Sequence, residues 1–167
     1  MQVVLFRHGD ALASGQEGIQ TDEERPLSKK GKKQVRRSAM GLLRIGLSPD
    51  RILTSPLVRA RETADLIAEV AQKEGNVEIC PALAPGSSPQ QLLSRLVELK
   101  HIECVVCVGH LPDLGFLISE FVLGSPRAEL PLKKAGICQL EVAESLDQAR
   151  LVNFLSPQVL AKLAEEA

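Results

Sequence analysis

Short apolar runs alternate along the chain with stretches in which apolar residues recur every three or four positions. The runs are typical of buried strands, and the wider spacing is typical of helices with one buried face. The predicted strands are Val3 to Phe6, Arg51 to Thr54, Val77 to Ile79, Cys104 to Val108, Ile137 to Val142 and Leu151 to Phe154. Because helical segments separate most of these strands, the pattern predicts a layered α/β fold.

Five stretches have helical spacing, and local signals indicate where they begin. Ser28 is a predicted N-cap for a first helix that ends near Gly46, and Ser55-Pro56 is a predicted cap and first position of the second helix. Ser156-Pro157 opens a short terminal helix in the same way. The residues expected to face the core are Val35, Ala39, Leu42 and Leu43; Ala60, Ala64, Ile67 and Ala71; Leu92, Leu93, Leu96 and Val97; and Leu114, Leu117, Ile118 and Phe121.

The chain length of 167 residues fits one domain with a core of its own. No internal repeat or linker divides the chain, so residues 1–167 are predicted to form a single domain. The polar segment from Asp10 to Pro26 is predicted to be a loop over the edge of the sheet that follows the first strand. A polar turn near Ser145 to Gln148 is predicted to join the last two strands.

Basic and acidic residues nearly balance, 20 against 21, for a net charge of −1. This balance removes the usual electrostatic argument for binding of DNA or RNA, and four Phe without Trp or Tyr leave little for base stacking. The apolar run before Arg7 is too short for a signal peptide, and the stretch from Leu114 to Leu123 is far below the length of a membrane span. We therefore expect a cytoplasmic protein without nucleic-acid or membrane partners.

Cys104 and Cys107 form a C-x-x-C string, a spacing also found in redox and metal sites. They lie in a predicted buried strand, where an offset of three sends the two side chains to opposite faces of the sheet. We therefore expect these two cysteines, and also Cys80 and Cys138, to be ordinary core residues.

The first strand runs directly into Arg7, His8 and Gly9. Open α/β folds bind small molecules at the carboxyl edge of parallel strands, which is where this triplet falls. Arg supplies a rigid fork for phosphate oxygens, a neutral His supplies a nitrogen nucleophile, and Gly permits a close approach of the backbone. An ordinary exit from a strand is the alternative, and the triplet alone does not decide between the two.

Two further junctions between a strand and a helix carry similar residues. Arg59 lies near the start of the second predicted helix, and His110 directly follows the fourth strand. In a parallel sheet these junctions share one edge, so Arg7, His8, Arg59 and His110 are expected to converge beside helix amino termini. Two guanidinium groups and two imidazoles around one point predict an oxyanion site, most simply for a phosphoryl group.

The motifs at these junctions are Arg7-His8-Gly9, Arg25-Pro26-Leu27-Ser28 with Gly31, Ser55-Pro56-Leu57-x-Arg59-Ala60-x-x-Thr63, and Gly109-His110-Leu111-Pro112. In this order, and over nearly the whole chain, they resemble the histidine phosphatase (phosphoglycerate mutase-like) superfamily. Its short bacterial branch, the SixA-type phosphohistidine phosphatases, is similar in size, in Arg-His-Gly-Asp-Ala at residues 7–11 and in the late Ser156-Pro157. We therefore expect a single-domain three-layer α/β/α sandwich, with a mostly parallel central sheet of about six strands flanked by helices.

The resemblance implies a covalent mechanism that needs no metal or other cofactor. His8 would attack phosphorus and become phosphohistidine, which water would hydrolyse, while Arg7, Arg59 and His110 would hold the equatorial oxygens. Composition alone leaves open which histidine is the nucleophile, and access beside Gly9 together with the neighbouring Arg7 favours His8. His110 would need a protonated ring to assist an anion, and nearby phosphate charge would favour that form.

One departure from the family pattern bears on the substrate. Members that act on phosphate esters generally carry an additional carboxylic acid after the third strand, where this chain reads Pro81-Ala82-Leu83-Ala84-Pro85-Gly86. An alkoxide leaving group needs a proton donor, whereas a phosphohistidine with a protonated distal nitrogen departs as neutral imidazole, so the absence favours a P–N substrate. Asp113 is expected to serve the dipole of its helix. The loop carboxylates that remain as alternative acids are Asp10, Glu17, Asp22, Glu23 and Glu24.

The expected partner is a phosphorylated histidine-containing protein, either a phosphotransfer domain or a phosphocarrier. No long insertion is available to form a lid, so the pocket should admit a side chain of another protein. Cations that crowd the start of the first helix oppose its dipole and either guide an acidic partner or form a solvated face: Lys29, Lys30, Lys32, Lys33, Arg36 and Arg37. Two other functions are considered, a phosphatase of small phosphate esters with the same site and a non-catalytic module that binds phosphoproteins.

Overall fold

Six strands form one sheet in the computed structural model of the protein, which describes residues 1–16, 18–125, 130–143 and 149–165. The strands are β1 (Gln2–Arg7), β2 (Arg51–Thr54), β3 (Val77–Ile79), β4 (Cys104–Gly109), β5 (Ile137–Val142) and β6 (Ala149–Leu155). Their order is β3-β2-β4-β1-β5-β6, with β1 to β4 parallel, β5 antiparallel to β1 and β6 antiparallel to β5. The predicted mostly parallel sheet is confirmed.

Helices cover both faces of this sheet, which confirms the three-layer arrangement. They are α1 (Lys29–Arg44), α2 (Val58–Ala71), α3 (Pro89–Glu98), α4 (Asp113–Leu123) and α5 (Pro157–Glu165), with short 3-10 turns at Glu74–Asn76 and Pro81–Leu83. Buried residues of α1, α2 and α5 form one core, and those of α3 and α4 form the other. No helix in the described part of the chain is both long and apolar enough to span a membrane.

The central strand β1 supplies both cores because successive side chains of a strand point to opposite faces. Val3 and Leu5 face the core of α3 and α4, whereas Val4 and Phe6 face the core of α1, α2 and α5. All four side chains are fully buried. A parallel sheet that is covered on both faces needs such continuous apolar runs, which is why its strands are recognisable in the sequence.

The cysteines are core residues, as predicted. Cys104 and Cys107 lie in different cores on the two sides of β4, so the C-x-x-C string does not bring two thiols together. All four cysteines are free and buried. Burial, followed by the nearby Asp50 carboxylate, raises the pKa of the Cys104 thiol to about 12. A thiol with that pKa stays protonated at neutral pH and is a poor nucleophile.

The predicted start of the first helix is confirmed and that of the second is wrong. Ser28 is the N-cap of α1, and its hydroxyl accepts a hydrogen bond from the Gly31 amide at 3.0 Å. The helix α2 begins at Val58 instead of at Ser55-Pro56, and its N-cap is Leu57. The Ser55 amide still bonds to Val108 of the neighbouring strand, so the backbone stays extended past the end of β2 and the helix begins later.

Some of the predicted inward-facing residues are not buried. Val97 of α3 is 49% exposed, because it lies about 100° around the helix from Leu96, the last fully buried residue of that helix. Leu43 and Ala71, near the ends of their helices, are only half-buried. The other predicted core residues of the four stripes are at least partly buried. The predicted polar turn at residues 145–148 lies outside the described residues.

Two glycines allow α1 to approach its neighbours closely. A Cβ atom at Gly31 would lie 2.0 Å from the carbonyl oxygen of Asp10, in the loop that follows β1. A Cβ atom at Gly41 would lie 2.2 Å from the carbonyl oxygen of Leu160 in α5. Both contacts involve backbone atoms, which cannot rotate away as a side chain can. The glycines therefore determine how closely α1 packs against the site loop and against α5.

Candidate functional site

The predicted site residues meet at the carboxyl edge of β1, β2 and β4. Arg7 pairs with Gly109 in the register of β1 and β4, so His8 and His110 follow neighbouring strands at the same level. The amide of His8 also donates to the carbonyl of Gly109 at 3.1 Å. The two imidazole rings have centroids 4.9 Å apart and planes inclined by 52°. Arg59 is also hydrogen-bonded to His8, so side chains from three separate strand–helix junctions meet in one small space.

His8 presents its Nε2 atom to this space. Its Nδ1 atom lies 2.7 Å from the carbonyl oxygen of Gly9, and this nitrogen must carry the proton because a carbonyl only accepts. The neutral ring then has its lone pair on Nε2, which accepts a hydrogen bond from Nε of Arg59 at 3.3 Å. The backbone carbonyl of the next residue therefore sets the tautomer that a nitrogen nucleophile requires.

The environment of His8 keeps the imidazole neutral. Burial lowers the pKa of His8 to about 4, and the charges of Arg59, Arg7 and Lys134 act in the same direction, while the hydrogen bond to Gly9 opposes them. The side chain is only 7% exposed. At neutral pH the lone pair of Nε2 is therefore available without a separate base to remove a proton.

The contacts of His110 assign it the same Nδ1–H tautomer as His8. Its Nε2 atom lies 2.8 Å from Oγ of Ser55, and Oγ already accepts a hydrogen bond from the Leu57 amide at 3.3 Å. The Ser55 hydroxyl is then free to donate its proton to Nε2, which leaves the ring proton of His110 on Nδ1. This buried Nδ1 atom has no hydrogen-bond partner among the described residues. It is therefore a donor available to an anion in the site.

The pKa of His110 is lowered to about 3, mainly by burial and further by His8, Arg59 and Arg7, whereas Asp22 opposes the shift. The sequence predicts a protonated ring with phosphate bound. The charges of the protein alone favour the neutral ring, and a bound phosphate acts in the opposite direction. In its neutral form the ring still offers one N–H donor through Nδ1.

Arg7 is held by a segment that precedes β5. Its NH1 atom donates to the carbonyl of Leu132 at 2.8 Å, and the amide of Ala135 donates to the carbonyl of Arg7 at 2.9 Å. Lys134 in the same segment forms an ion pair with Asp10 at 2.6 Å. Because β5 is antiparallel to β1, this segment enters the sheet at the edge where β1 ends. Sequence reasoning missed this segment, although the pair Lys133-Lys134 just before β5 was a possible signal.

Arg59 binds Asp22 of the loop through two hydrogen bonds, one of which is also an ion pair. The NH1 atom donates to the carbonyl of Asp22 at 2.7 Å, and NH2 donates to its Oδ2 atom at 2.9 Å. Hydrogen bonds from Arg25 first, and from Arg59 second, lower the pKa of Asp22. The carboxylate therefore stays ionised at neutral pH, and its position over the site is set by two arginines.

The other loop carboxylates have different roles or lie outside the described residues. Asp10 is paired with Lys134 and accepts a hydrogen bond from Ser28, and these contacts lower its pKa. Glu24 accepts from backbone amides within its own loop, and the carbonyl of Glu23 accepts from the amide of Val58. Glu17 is not among the described residues. Of these carboxylates in the described part of the loop, only that of Asp22 bonds to a predicted site residue.

Thr63 connects two parts of the site through one hydroxyl group. Its Oγ1 atom accepts a hydrogen bond from the Gly9 amide at 3.1 Å and donates to the carbonyl of Arg59 at 2.7 Å. Thr63 is fully buried, so both bonds are protected from water. The side chain therefore fixes the loop that carries His8 against the first turn of α2, which carries Arg59. Its place in the motif was recognised from sequence, but its role was not.

Asp113 is the first residue of α4, and its Oδ2 atom accepts a hydrogen bond from the Gly86 amide at 3.2 Å. It therefore holds the connection after β3, which contains no Asp or Glu of its own, against the start of α4.

His101, the third histidine, is exposed. No three His, Cys, Asp or Glu side chains in the described part of the chain are arranged to hold a metal ion.

The arrangement fits a tetrahedral oxyanion. Arg59 donates to the Nε2 atom of His8, the charge of Arg7 acts on both His8 and His110, and the helices α2 and α4 begin at the same edge of the sheet. A nucleophilic nitrogen inside a cluster of cations is the arrangement that a phosphoryl-transfer site needs. Fold and site therefore define an α/β protein with a cluster of histidine and arginine side chains at the carboxyl edge of its sheet.

Known proteins share these features. The histidine phosphatase superfamily (branch 1) matches residues 3–85. The phosphohistidine phosphatase SixA of Escherichia coli (strain K12) is 29% identical over 126 residues, 74% of this chain and 76% of that protein. A protein of Picosynechococcus sp. without an assigned function is 36% identical over 157 residues, 93% of each chain. The chain belongs to the histidine phosphatase superfamily.

The fold comparison leads to the same family. The structure of the protein histidine phosphatase SixA complexed with tungstate superimposes with a TM-score of 0.85 and 26% sequence identity, over 96% of this chain and 99% of that one. Both the fold and the family predicted from the sequence are confirmed. Family membership and the pocket together support phosphatase activity.

Proposed function

We propose that this protein is a phosphohistidine phosphatase that removes phosphate from a histidine of a phosphorelay or phosphocarrier protein. The observation that carries the proposal is the Nε2 atom of His8, which faces Arg59 at 3.3 Å in a pocket that also contains His110. The similarity to SixA, whose name states that substrate class, supports the same reading.

In the proposed first step, the lone pair on Nε2 of His8 attacks phosphorus, and the bond from phosphorus to the substrate nitrogen breaks. Arg7, Arg59 and the Nδ1–H group of His110 hold the equatorial oxygens and stabilise their charge. The substrate imidazole leaves with a proton on its distal nitrogen. In the second step water attacks phosphorus, the bond to Nε2 breaks, and inorganic phosphate leaves.

The ionisation of the loop carboxylates supports a P–N substrate. Asp22 and Asp10 are the described loop carboxylates at the site, and arginine or lysine partners lower the pKa of each. An ionised carboxylate cannot donate a proton to an alkoxide, and a phosphate ester needs such a donor more than a phosphohistidine does. The substrate proposed here is the one that departs without help from these groups.

The test is a comparison of two substrates and two variants. The purified protein is given a phosphotransfer domain carrying ³²P on histidine and, separately, p-nitrophenyl phosphate, and reactions are quenched in alkali to trap acid-labile label. We expect a labelled enzyme and a higher kcat/KM for the phosphohistidine protein. His8→Ala should carry no label and lose more than about 10³-fold in kcat. His101→Ala, which changes the exposed histidine, should behave as wild type.

Each contrary result selects another function. A strong preference for p-nitrophenyl phosphate would overturn the phosphohistidine assignment in favour of a small-ester phosphatase. A wild-type enzyme that binds the phosphoprotein without label or turnover would instead indicate a binding module. Label that persists in His8→Ala would contradict the assignment of the nucleophile.

A further inference from the structure

A groove of about 520 Å³ lies between the first half of α1 and the helix α5. Lys30, Lys33 and Arg37 line it from α1, and Lys162 lines it from α5. Pro157 and Ala161 of α5 also line it, so the basic side chains border a partly apolar surface. The cations predicted to crowd the start of α1 therefore face a concave surface that is shared with a second helix.

The groove adjoins a second cavity that reaches Arg7. A neighbouring cavity of about 340 Å³ is lined by Arg7 of the phosphate pocket and by Lys133 and Lys134. Lys30 and Pro157 line both cavities, so the two cavities lie side by side. A ligand bound at Arg7 can therefore extend past Lys134 and Lys30 into the groove between the helices.

The charge of this surface is opposite to that of the rest of the molecule. Seven basic and two acidic side chains line the two cavities, whereas the whole chain has a net charge of −1. The acidic side chains are already paired, Asp10 with Lys134 and Glu165 with Arg37. Lys30, Lys33 and Lys162 form no ion pair with any described residue. A concentrated positive field therefore extends from the active site along the groove.

Local stability does not explain the cations in the first turn of α1, although Lys162 in the last turn of α5 is favoured by the dipole of its helix. The first turn of α1 contains no acidic residue, although the positive end of a helix dipole favours Asp and Glu there. Lys29 and Lys30 occupy that turn instead and are exposed. Each cation in this position opposes the helix dipole, so a role outside the folding of the helix is the simpler explanation.

We infer that this basic groove is the docking surface for an acidic face of the phosphorylated protein substrate. The inference rests on the proposed function and names the surface that the substrate uses. A small phosphate ester needs only the pocket around Arg7 and Arg59, whereas the groove follows α1 from Lys30 to Arg37, roughly 10 Å along the helix. Nucleic acid is disfavoured as the occupant because the chain is acidic overall and has four Phe, no Trp and no Tyr for stacking.

Charge complementarity of this kind acts on encounter and orientation more than on the chemical step. Acidic side chains of the partner would be drawn to Lys30, Lys33 and Lys162, and its phosphohistidine would then be presented at His8. The groove should therefore lower KM for a phosphorylated acidic protein and leave the hydrolysis of a small ester unchanged. Salt should weaken the first effect by screening exposed charges.

The test uses two triple variants with the same change in net charge. The groove variant, Lys30→Glu/Lys33→Glu/Lys162→Glu, reverses the charge of three groove residues. The control variant, Arg44→Glu/Lys73→Glu/Lys100→Glu, reverses the charge of three residues at or just after the ends of α1, α2 and α3, at the opposite edge of the sheet. We expect the groove variant to lose about tenfold or more in kcat/KM on an acidic phosphohistidine phosphotransfer domain, mainly through KM. On p-nitrophenyl phosphate both variants should stay within about twofold of wild type, and the control should do so on both substrates.

The wild-type protein alone provides a second readout. Raising NaCl from about 50 to about 500 mM should reduce its kcat/KM for the phosphoprotein and leave that for the small ester nearly constant. If the groove and control variants lost equal amounts of kcat/KM for the phosphoprotein, or if this kcat/KM did not depend on salt, the docking surface would be overturned. The phosphatase assignment would remain intact. A wild type that hydrolyses the ester but not the phosphoprotein would overturn the proposed function and the docking surface with it. Duplex DNA that binds the wild type but not the groove variant would assign the surface to nucleic acid instead.

Discussion

Arg59 donates a hydrogen bond from Nε to Nε2 of His8 across 3.3 Å, although 51 positions separate the two residues in the sequence. Arg59 is 6% exposed, and the two terminal nitrogens of its guanidinium group are hydrogen-bonded to Asp22. It therefore approaches the nucleophilic lone pair in a fixed orientation. Burial lowers the pKa of His8, and the Arg59 charge lowers it further. In the proposed mechanism the same contact would place a cation where the charge of a transferring phosphoryl group develops.

Stability should fall in mild acid because both site histidines are buried as neutral rings. The folded pKa values, about 4 for His8 and about 3 for His110, lie below the unfolded value near 6.5. Below pH 6.5 the unfolded chain binds more protons, so the free energy of unfolding decreases as pH falls toward 4 and is unaffected by these groups above 6.5. Each histidine contributes up to about 1.4 kcal/mol per pH unit in this window.

Urea unfolding at pH 7, 6 and 5 measures this slope. His8→Ala and His110→Ala should each make it shallower, and His101→Ala should keep the wild-type slope because that side chain is exposed outside the site. A slope that is identical in the wild type and in the two site variants would contradict the burial of neutral imidazoles.

Ser55 should act as a positioning residue for His110. Its hydroxyl lies 2.8 Å from Nε2, and removing it in Ser55→Ala leaves no group to hold the ring proton on Nδ1. We expect kcat/KM to fall by roughly tenfold, the size of one lost hydrogen bond to a catalytic group. ¹⁵N NMR of the imidazole distinguishes this effect from a general loss of structure: the wild type should show the Nδ1–H tautomer for His110, and the variant a mixture. An unchanged tautomer in Ser55→Ala would refute the role.

The Thr63 hydroxyl should matter more than its methyl group. Thr63→Val keeps the shape of the side chain but leaves the buried Gly9 amide without its acceptor and removes the bond from the hydroxyl to the Arg59 carbonyl. We expect a loss of about 1–3 kcal/mol in the free energy of unfolding, together with lower kcat/KM. Thr63→Ser keeps the hydroxyl and is the matched control, with a smaller effect on both quantities. Denaturant titration and steady-state kinetics check the prediction, and a greater loss in the serine variant would contradict it.

Gly31 should not tolerate alanine, although alanine is the better helix former by about 1 kcal/mol. The added Cβ would lie 2.0 Å from the Asp10 carbonyl oxygen, and either α1 or the loop that carries His8 must move. We expect Gly31→Ala to destabilise the protein by about 1–3 kcal/mol and to lower activity. Gly75→Ala is the control, since nothing lies within 4 Å of a Cβ there, and its effect should stay within about 0.5 kcal/mol. Thermal unfolding of the two variants compares them directly.

The sequence pattern predicted correctly those strands that are buried on both faces of the sheet, because such strands are continuous apolar runs. The strands β1, β2 and β4 and the N-cap Ser28 lie where the sequence predicted them. The predicted start of α2 was wrong although Ser55-Pro56 has the composition of a helix start. The Ser55 hydroxyl instead bonds to His110, and the Ser55 amide bonds to β4. The prediction that Val97 faces the core was wrong because helical spacing alone does not indicate how wide the buried face of a helix is.

The site shows the same division. Arg7, His8, Arg59 and His110 could be named from the sequence, since each directly follows a strand or begins a helix at a predictable edge. The pairing of Asp22 with Arg59 could not, because the loop sequence offers several carboxylates at similar positions and the packing of the loop selects one. Lys134 was missed because it belongs to the antiparallel end of the sheet, outside the repeated strand–helix pattern.

By itself the sequence determined the α/β layering, the edge of the sheet that carries the chemistry and the family, because periodicity and short motifs are local properties. Only the tertiary structure decided the tautomers of His8 and His110, the depth of their burial and the position of the basic groove next to the cavity at Arg7. Each of these depends on distances between segments far apart in the chain, and such distances are set by how the sheet, α1 and α5 pack together.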